Sequence, residues 1–185
     1  FTTLNRLFRK TLKKLAVSAA LAAGCFALKA AAEGLPYPFN YAATGIVRSA
    51  FGLQGQKCSA CSRVYVERPV ARALRERMVA LAEAISVGDP TERRHWMGPV
   101  INKSALEDYK GFVEDLRQHG DIVFGGKMLD DRGYYVAPTI ADNVPEDHPL
   151  WKQEMFLPIL MVESFNDFDE AMKKANDVEY GLTAG

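Results

Sequence analysis

The sequence predicts an α/β fold with a largely parallel sheet and flanking helices. Three observations predict it. Strand-like and helix-like segments alternate from Ala42 onward, the strand candidates are rich in Val, Ile, Leu and Tyr, and glycine, proline or capping residues punctuate the segments. With 185 residues, 48% of them apolar and 25% charged, the chain is long enough to bury a core of its own.

Each element has a local reason. In AATGIVRSAFGL, Ile46, Val47 and Ala50 share one helical face, and Gly52 and Gly55 end the helix. SRVYVE alternates and is rich in Val and Tyr, which predicts a strand over 62–66. Pro69 opens a helix, since proline tolerates the first turn, and its apolar stripe runs Val70, Leu74, Met78, Leu81, Ile85. Ser104 with Glu107 reads as a capping box for a helix carrying Leu106, Tyr109, Val113 and Leu116, closed by Gly120. DIVFGG, YYVAPTIA and LPILMVESF are three further strand candidates. Asp167 with Glu170 caps a last helix along Phe168, Ala171, Met172 and Ala175. Four strands and a stop at Gly185 in mid-element give an incomplete sheet, which is the expectation for a fragment.

The N-terminal part has a different composition. Residues 1–32 carry Arg6, Arg9, Lys10, Lys13, Lys14 and Lys29 with no acidic residue before Glu33. A basic start, an apolar run over 15–28 and the small residues Ala30, Ala31 and Ala32 match a targeting segment, secretory or mitochondrial, that is too short to span a bilayer comfortably. Gly24–Cys25 is weakly similar to a lipoprotein cleavage site, and a basic, alanine-rich helix packed on its own domain is the plain alternative. GLPYPFNY, residues 34–41, reads as a linker. The expected organisation is a signal-like segment and linker over 1–41, then the α/β domain over 42–185. Membrane association is expected only if residues 1–32 act as signal or anchor.

Lys plus Arg and Asp plus Glu balance at 23 each, so no net field draws the chain toward nucleic acid. Three cysteines make a poor disulfide framework and suit a reducing compartment, the cytoplasm or the mitochondrial matrix, unless the N-terminus directs export. Cys58 and Cys61 stand three positions apart in GQKCSAC, behind a helix and ahead of a strand. A dithiol redox pair gains its thiolate from a helix N-terminus, which this order does not supply. Zinc needs about four ligands in a structural site, and His95, His119 and His148 lack the close spacing that completes one, so no metal is expected. Cys61, at the edge of the strand, reads as a small buried hydrophobe. Cys58 sits among Gly55, Gln56 and Lys57 with little apolar bulk nearby, and reads as a candidate nucleophile needing local charge or donors. The histidines are expected on surface turns or helix ends, with no catalytic role.

The stretch GQKCSACSRVYV resembles the catalytic-cysteine segment of the aldehyde dehydrogenase superfamily, whose pattern runs Gly-Gln-x-Cys-x-Ala-x-Ser-Arg; Gly55, Gln56, Cys58, Ala60, Ser62 and Arg63 fit it. MGPVI at 97–101, FGGK at 124–127, GYYVAPTI at 133–140, KQEMFLP at 152–158 and YGLTAG at 180–185 occur in the family's order and spacing. Within the family, Lys57-Cys58-Ser59-Ala60 looks most like the pyrroline-carboxylate branch, which oxidises glutamate γ-semialdehyde in proline catabolism.

The resemblance implies a partial catalytic domain. Cys58 would add to a small-molecule aldehyde, hydride would pass to NAD, and water would release the acid from a thioester. Glu154 matches the glutamate that bonds the nicotinamide ribose, Phe156 the aromatic that packs near the nicotinamide, and Ser59 the serine that contacts the substrate carboxylate. The parent enzymes are usually homo-oligomers. Two departures matter. Leu157 stands where the family has glycine, and no carboxylate but Glu33 precedes Cys58, where the family places its general base and its NAD-binding half. The 185-residue chain is therefore expected to carry the nucleophile without turning over alone. The other readings are an exported or membrane-tethered binding or structural fragment, and a Cys-x-x-Cys thiol oxidoreductase.

Overall fold

The computed structural model describes residues 25–28, 36–130 and 132–184. Strand β1 (Cys25–Leu28) precedes helix α1 (Pro36–Phe51), and a 3-10 turn at Gly52–Gly55 leads toward β2 (Arg63–Glu67). Helices α2 (Arg68–Glu83) and α3 (Lys103–His119) follow, then β3 (Asp121–Phe124) and β4 (Thr139–Asp142). A second 3-10 turn at Pro149–Trp151, strand β5 (Ile159–Phe165) and helix α4 (Phe168–Asn176) complete the order.

The five strands lie in the order β1-β2-β5-β4-β3. All neighbours are parallel except β3, which runs antiparallel to β4 at one edge. Alternation along the strands splits the core into two layers, one on each face of the sheet. Val64, Val66, Ile140, Leu160 and Val162 face α1 and α2, packing with Ile46, Phe51, Leu74 and Met78. Tyr65, Ala141, Ile159 and Met161 point the other way, onto α3 and α4, with Tyr109, Leu116 and Ala171. A parallel sheet covered on both faces is the arrangement that the near-continuous apolar runs of its strands require.

The stripes read from the sequence are the buried faces. Leu106, Tyr109, Val113 and Leu116 bury on α3, and Leu74 and Met78 on α2 with Val70, Leu81 and Ile85 half-covered beside them. Asp167 caps α4 by accepting from the Glu170 backbone N–H at 3.0 Å, as its spacing predicts.

Four local readings are corrected. The α3 cap is Asn102, whose Oδ1 accepts from Ala105 N at 2.9 Å, and Ser104 already lies inside the helix. Of the candidate YYVAPTIA only Thr139 and its successors pair as a strand; Val136 makes an isolated bridge to Met128. The stretch read as a linker is helical from Pro36, because prolines at 36 and 38 fall in the first turn, where the missing N–H groups have no partners to lose. Cys25–Leu28, inside the run read as signal or helix, pairs as an edge strand with β2. The rest of that run, and the readings placed on residues 1–24 and 29–35, lie outside the described residues.

No helix among the described residues is long and apolar enough to cross a membrane.

Candidate active site

Adjacent parallel strands bring the loops that enter them to the same edge of the sheet. β2 and β5 are such neighbours, in register Arg63 with Met161. The segment carrying Cys58 enters β2 and the segment carrying Glu154 and Phe156 enters β5, so these residues meet although they are far apart in the chain. After β5, α4 carries the chain back to the same edge and delivers Tyr180, Gly181 and Leu182. Together these segments line a cleft of about 140 Å³.

Cys58 lies exposed in a tight turn in which Ala60 N donates to Lys57 O at 3.0 Å. Gly55 makes the approach of this segment possible. It holds φ +67°, a left-handed conformation natural to glycine, and a Cβ there would lie 2.3 Å from the carbonyl oxygen of Leu157. Gln56 points away from the cleft to anchor the turn, its Oε1 accepting from Ile101 N at 2.9 Å. That bond ties GQKC to the MGPVI stretch.

The opposite wall alternates. Met155 and Leu157 bury their side chains in the core while Glu154 and Phe156 stand exposed on the cleft lining. Phe156 holds φ +56°, an uncommon conformation for a bulky side chain, between two buried neighbours. Leu157, where the resembled family has glycine, serves here as a core anchor. The wall is fixed from below by Arg63, which is buried and donates from Nη1 to Trp151 O at 2.7 Å, and by the Trp151 ring stacked on Tyr65 at 5.7 Å. Lys152 pairs with Asp177 at 2.6 Å, joining this wall to the chain leaving α4.

The sequence-read site residues are thus divided. Cys58, Glu154 and Phe156 share the cleft, whereas Ser59, though exposed in the same turn, is not among the lining residues. Cys61 is buried and its thiol donates to Arg63 O at 3.5 Å, as a structural cysteine does; neither cysteine is in a disulfide. Sequence reasoning gave no role to Arg63, which it named only as a motif match, or to Trp151, Tyr180 and Leu182. Their signal lay in the motifs that contain or adjoin them, but a role that depends on a contact across the sheet has no local signature.

FGGK and APTI, which the same reading left without a role, are a structural lock. Gly126 N donates to Thr139 Oγ1 at 3.0 Å, Tyr109 Oη lies 2.7 Å from the same oxygen and donates to Ala137 O at 2.9 Å, and a Cβ on Gly125 would meet Pro138 O. Burial pushes the Tyr109 phenol above its ordinary value. Of the histidines, His119 ends α3 as expected, and His148 departs from expectation. His148 is buried, not on a surface turn, and its ring lies 5.0 Å from that of His119.

The family model described as "Aldehyde dehydrogenase family" matches residues 38–185. The 1-pyrroline-5-carboxylate dehydrogenase of Oceanobacillus iheyensis is 40% identical over 144 residues, covering 78% of this chain and 28% of that protein. The enzyme of the same name from Bacillus cytotoxicus is 42% identical over 142 residues, covering 77% and 28%. Among solved structures, 1-pyrroline-5-carboxylate dehydrogenase from Thermus with bound NAD superposes with a TM-score of 0.74 at 36% identity, covering 83% of this chain and 28% of that one. γ-Glutamyl-γ-aminobutyraldehyde dehydrogenase from Burkholderia cenocepacia gives 0.78 at 33% identity, covering 86% and 32%. The chain spans about 28% of the length of the curated relatives it matches. With its model match running through α1, both core layers and every wall of the cleft, the chain belongs to the aldehyde dehydrogenase family.

Proposed function

We propose that this chain carries the nucleophile-bearing part of an NAD-dependent aldehyde dehydrogenase that oxidises glutamate γ-semialdehyde to glutamate. One observation carries the reading: an exposed cysteine, Cys58, shares a cleft with Glu154 and Phe156, which lie on the segment that enters the neighbouring strand β5. The 1-pyrroline-5-carboxylate dehydrogenases among its relatives support the substrate.

Cys58 Sγ, as thiolate, adds to the aldehyde carbon; a C–S bond forms and the carbonyl π pair moves to oxygen. The backbone N–H of Cys58 donates to that oxygen, stabilising charge where it develops. Glu154 and Phe156 fit a nicotinamide riboside end, an acceptor for ribose hydroxyls beside an apolar face for the ring. NAD, when bound, supplies the hydride acceptor. The resulting thioester at Cys58 is cleaved by water, which returns the thiol and releases the carboxylic acid. Ser59, outside the lining, would reach a substrate carboxylate only at the rim. Among the described residues Glu154 is the one carboxylate on the lining, and it is given to the ribose, so the chain alone is proposed to form the thiohemiacetal without sustained turnover. A homo-oligomeric parent enzyme in a reducing compartment such as the cytoplasm fits the free thiols.

The test uses succinic semialdehyde, which bears a carboxylate and, lacking an amine, forms no cyclic imine. Iodoacetamide labelling of Cys58, mapped by peptide mass spectrometry, should slow when this aldehyde is present, with no change at Cys61. Equal labelling of Cys58 with and without the aldehyde would sink the reading.

A further inference from the structure

Asp115 and His119 stand one turn apart near the C-terminal end of α3, and His148 arrives from the segment before the second 3-10 turn. One ligand atom from each lies within 4.8 Å of the other two. We propose that these three side chains form a binding site for a divalent transition metal of the kind that imidazole prefers, zinc foremost, separate from the cleft that holds Cys58.

The geometry distinguishes this trio from a helix-end ion pair. Asp115 Oδ1 faces His119 Nδ1 at 3.0 Å, an ordinary i,i+4 contact. Its other oxygen faces His148 Nε2 at 3.6 Å, beyond a good hydrogen bond. Zinc–nitrogen and zinc–oxygen bonds of about 2.1 Å at tetrahedral angles set ligand atoms about 3.4 Å apart, close to that separation. His148 is held in place: its side chain is 8% exposed and its ring caps the turn beginning at Pro149. The side chains of Asp115 and His119 are 40% and 48% exposed, so they can rotate to close the remaining distance and leave the fourth position to water; His119 Nδ1 also lies 3.0 Å from the Asp115 main-chain oxygen, a contact on the exposed helix end that ligation through Nδ1 gives up. Two imidazoles and one carboxylate suit zinc, copper or nickel better than magnesium or calcium. Leu150 N donates to His148 Nδ1 over a long 3.4 Å, which leaves the hydrogen on Nε2. Binding a cation there needs the other tautomer, with the hydrogen moved to Nδ1 and that long contact given up.

The test titrates the untagged 185-residue chain, in a Cys58→Ser background to remove the exposed thiol, with cobalt(II) as a spectroscopic stand-in for zinc. One cobalt per chain with the visible absorption of nitrogen and oxygen ligands, competed away by zinc, is the expected result. His119→Gln, an exposed substitution that leaves the core intact, should weaken binding at least about tenfold, since even loss of an outer-sphere partner costs about 10–100-fold. His148→Gln should do the same where it folds. Absence of saturable binding, or binding unchanged by His119→Gln, overturns the proposal.

Discussion

Arg63 reaches beneath the strand it begins, and its Nη1 donates to the carbonyl of Trp151 at 2.7 Å. The two residues belong to the segments that form opposite walls of the cleft, so a buried, charge-assisted bond fixes the separation between Cys58 and Glu154. Arg63→Gln should cost about 1.5–3 kcal/mol, the range for a hydrogen bond to a charged group, read from the denaturant midpoint. It should also make the 151–158 segment exchange its amides faster. Unchanged exchange there would mean that the wall is held without Arg63, by Trp151, the Lys152–Asp177 pair and the buried Met155 and Leu157.

Gly55 cannot carry a side chain. Alanine in the left-handed region costs about 1–2 kcal/mol, and its Cβ would stand 2.3 Å from a backbone oxygen that has to move. With overpacking at about 1–3 kcal/mol, Gly55→Ala should lose at least about 2 kcal/mol in chemical unfolding. Gly111→Ala, with nothing within 4 Å and a helical backbone, should be neutral or slightly stabilising by the same assay.

Tyr109 gives a pH dependence with a definite sign. Its phenol titrates above the ordinary 10.0 when folded, because burial disfavours the phenolate, so the unfolded chain loses this proton first as pH rises. The contribution to stability is complete below pH 10.0 and disappears as pH climbs through the folded value. Comparing the wild-type chain with Tyr109→Phe across that alkaline window isolates the effect: the stability gap between them should narrow as pH rises. A constant gap would contradict the assignment.

Thr139 Oγ1 accepts from Gly126 N at 3.0 Å, and its own hydrogen goes to Tyr109 Oη, 2.7 Å away, while that phenol donates to Ala137 O. Thr139→Val keeps the shape and strands these buried groups, so a loss of about 1–3 kcal/mol is expected in thermal or chemical unfolding. Thr139→Ser, which keeps the hydroxyl, should recover most of it.

Elements that depend on neighbouring residues were legible in the sequence. The stripe from Leu106 to Leu116 follows from a period of 3.6, the Asp167 cap from a contact three residues away, and the thiol at 58 from its polar surroundings. What required the fold was contact at long range. Val64 and Tyr65 are equally apolar in sequence, and only the sheet assigns them to opposite cores. Asn102 outcompeted Ser104 as a cap because the backbone turns extended one residue before Lys103, which no pattern in the helix itself specifies. His119 and His148 looked unrelated until the end of α3 and the turn at Pro149 were placed side by side. The cleft is intermediate: its motifs could be read, and their meeting follows from β2 and β5 being parallel neighbours.

The most direct measurement is carbon NMR of the chain mixed with succinic semialdehyde labelled at its carbonyl carbon. The account predicts a protein-bound tetrahedral carbon signal that survives Cys61→Ala and disappears in Cys58→Ser. A bound signal that persists in Cys58→Ser, or no bound signal at any aldehyde concentration, would contradict it.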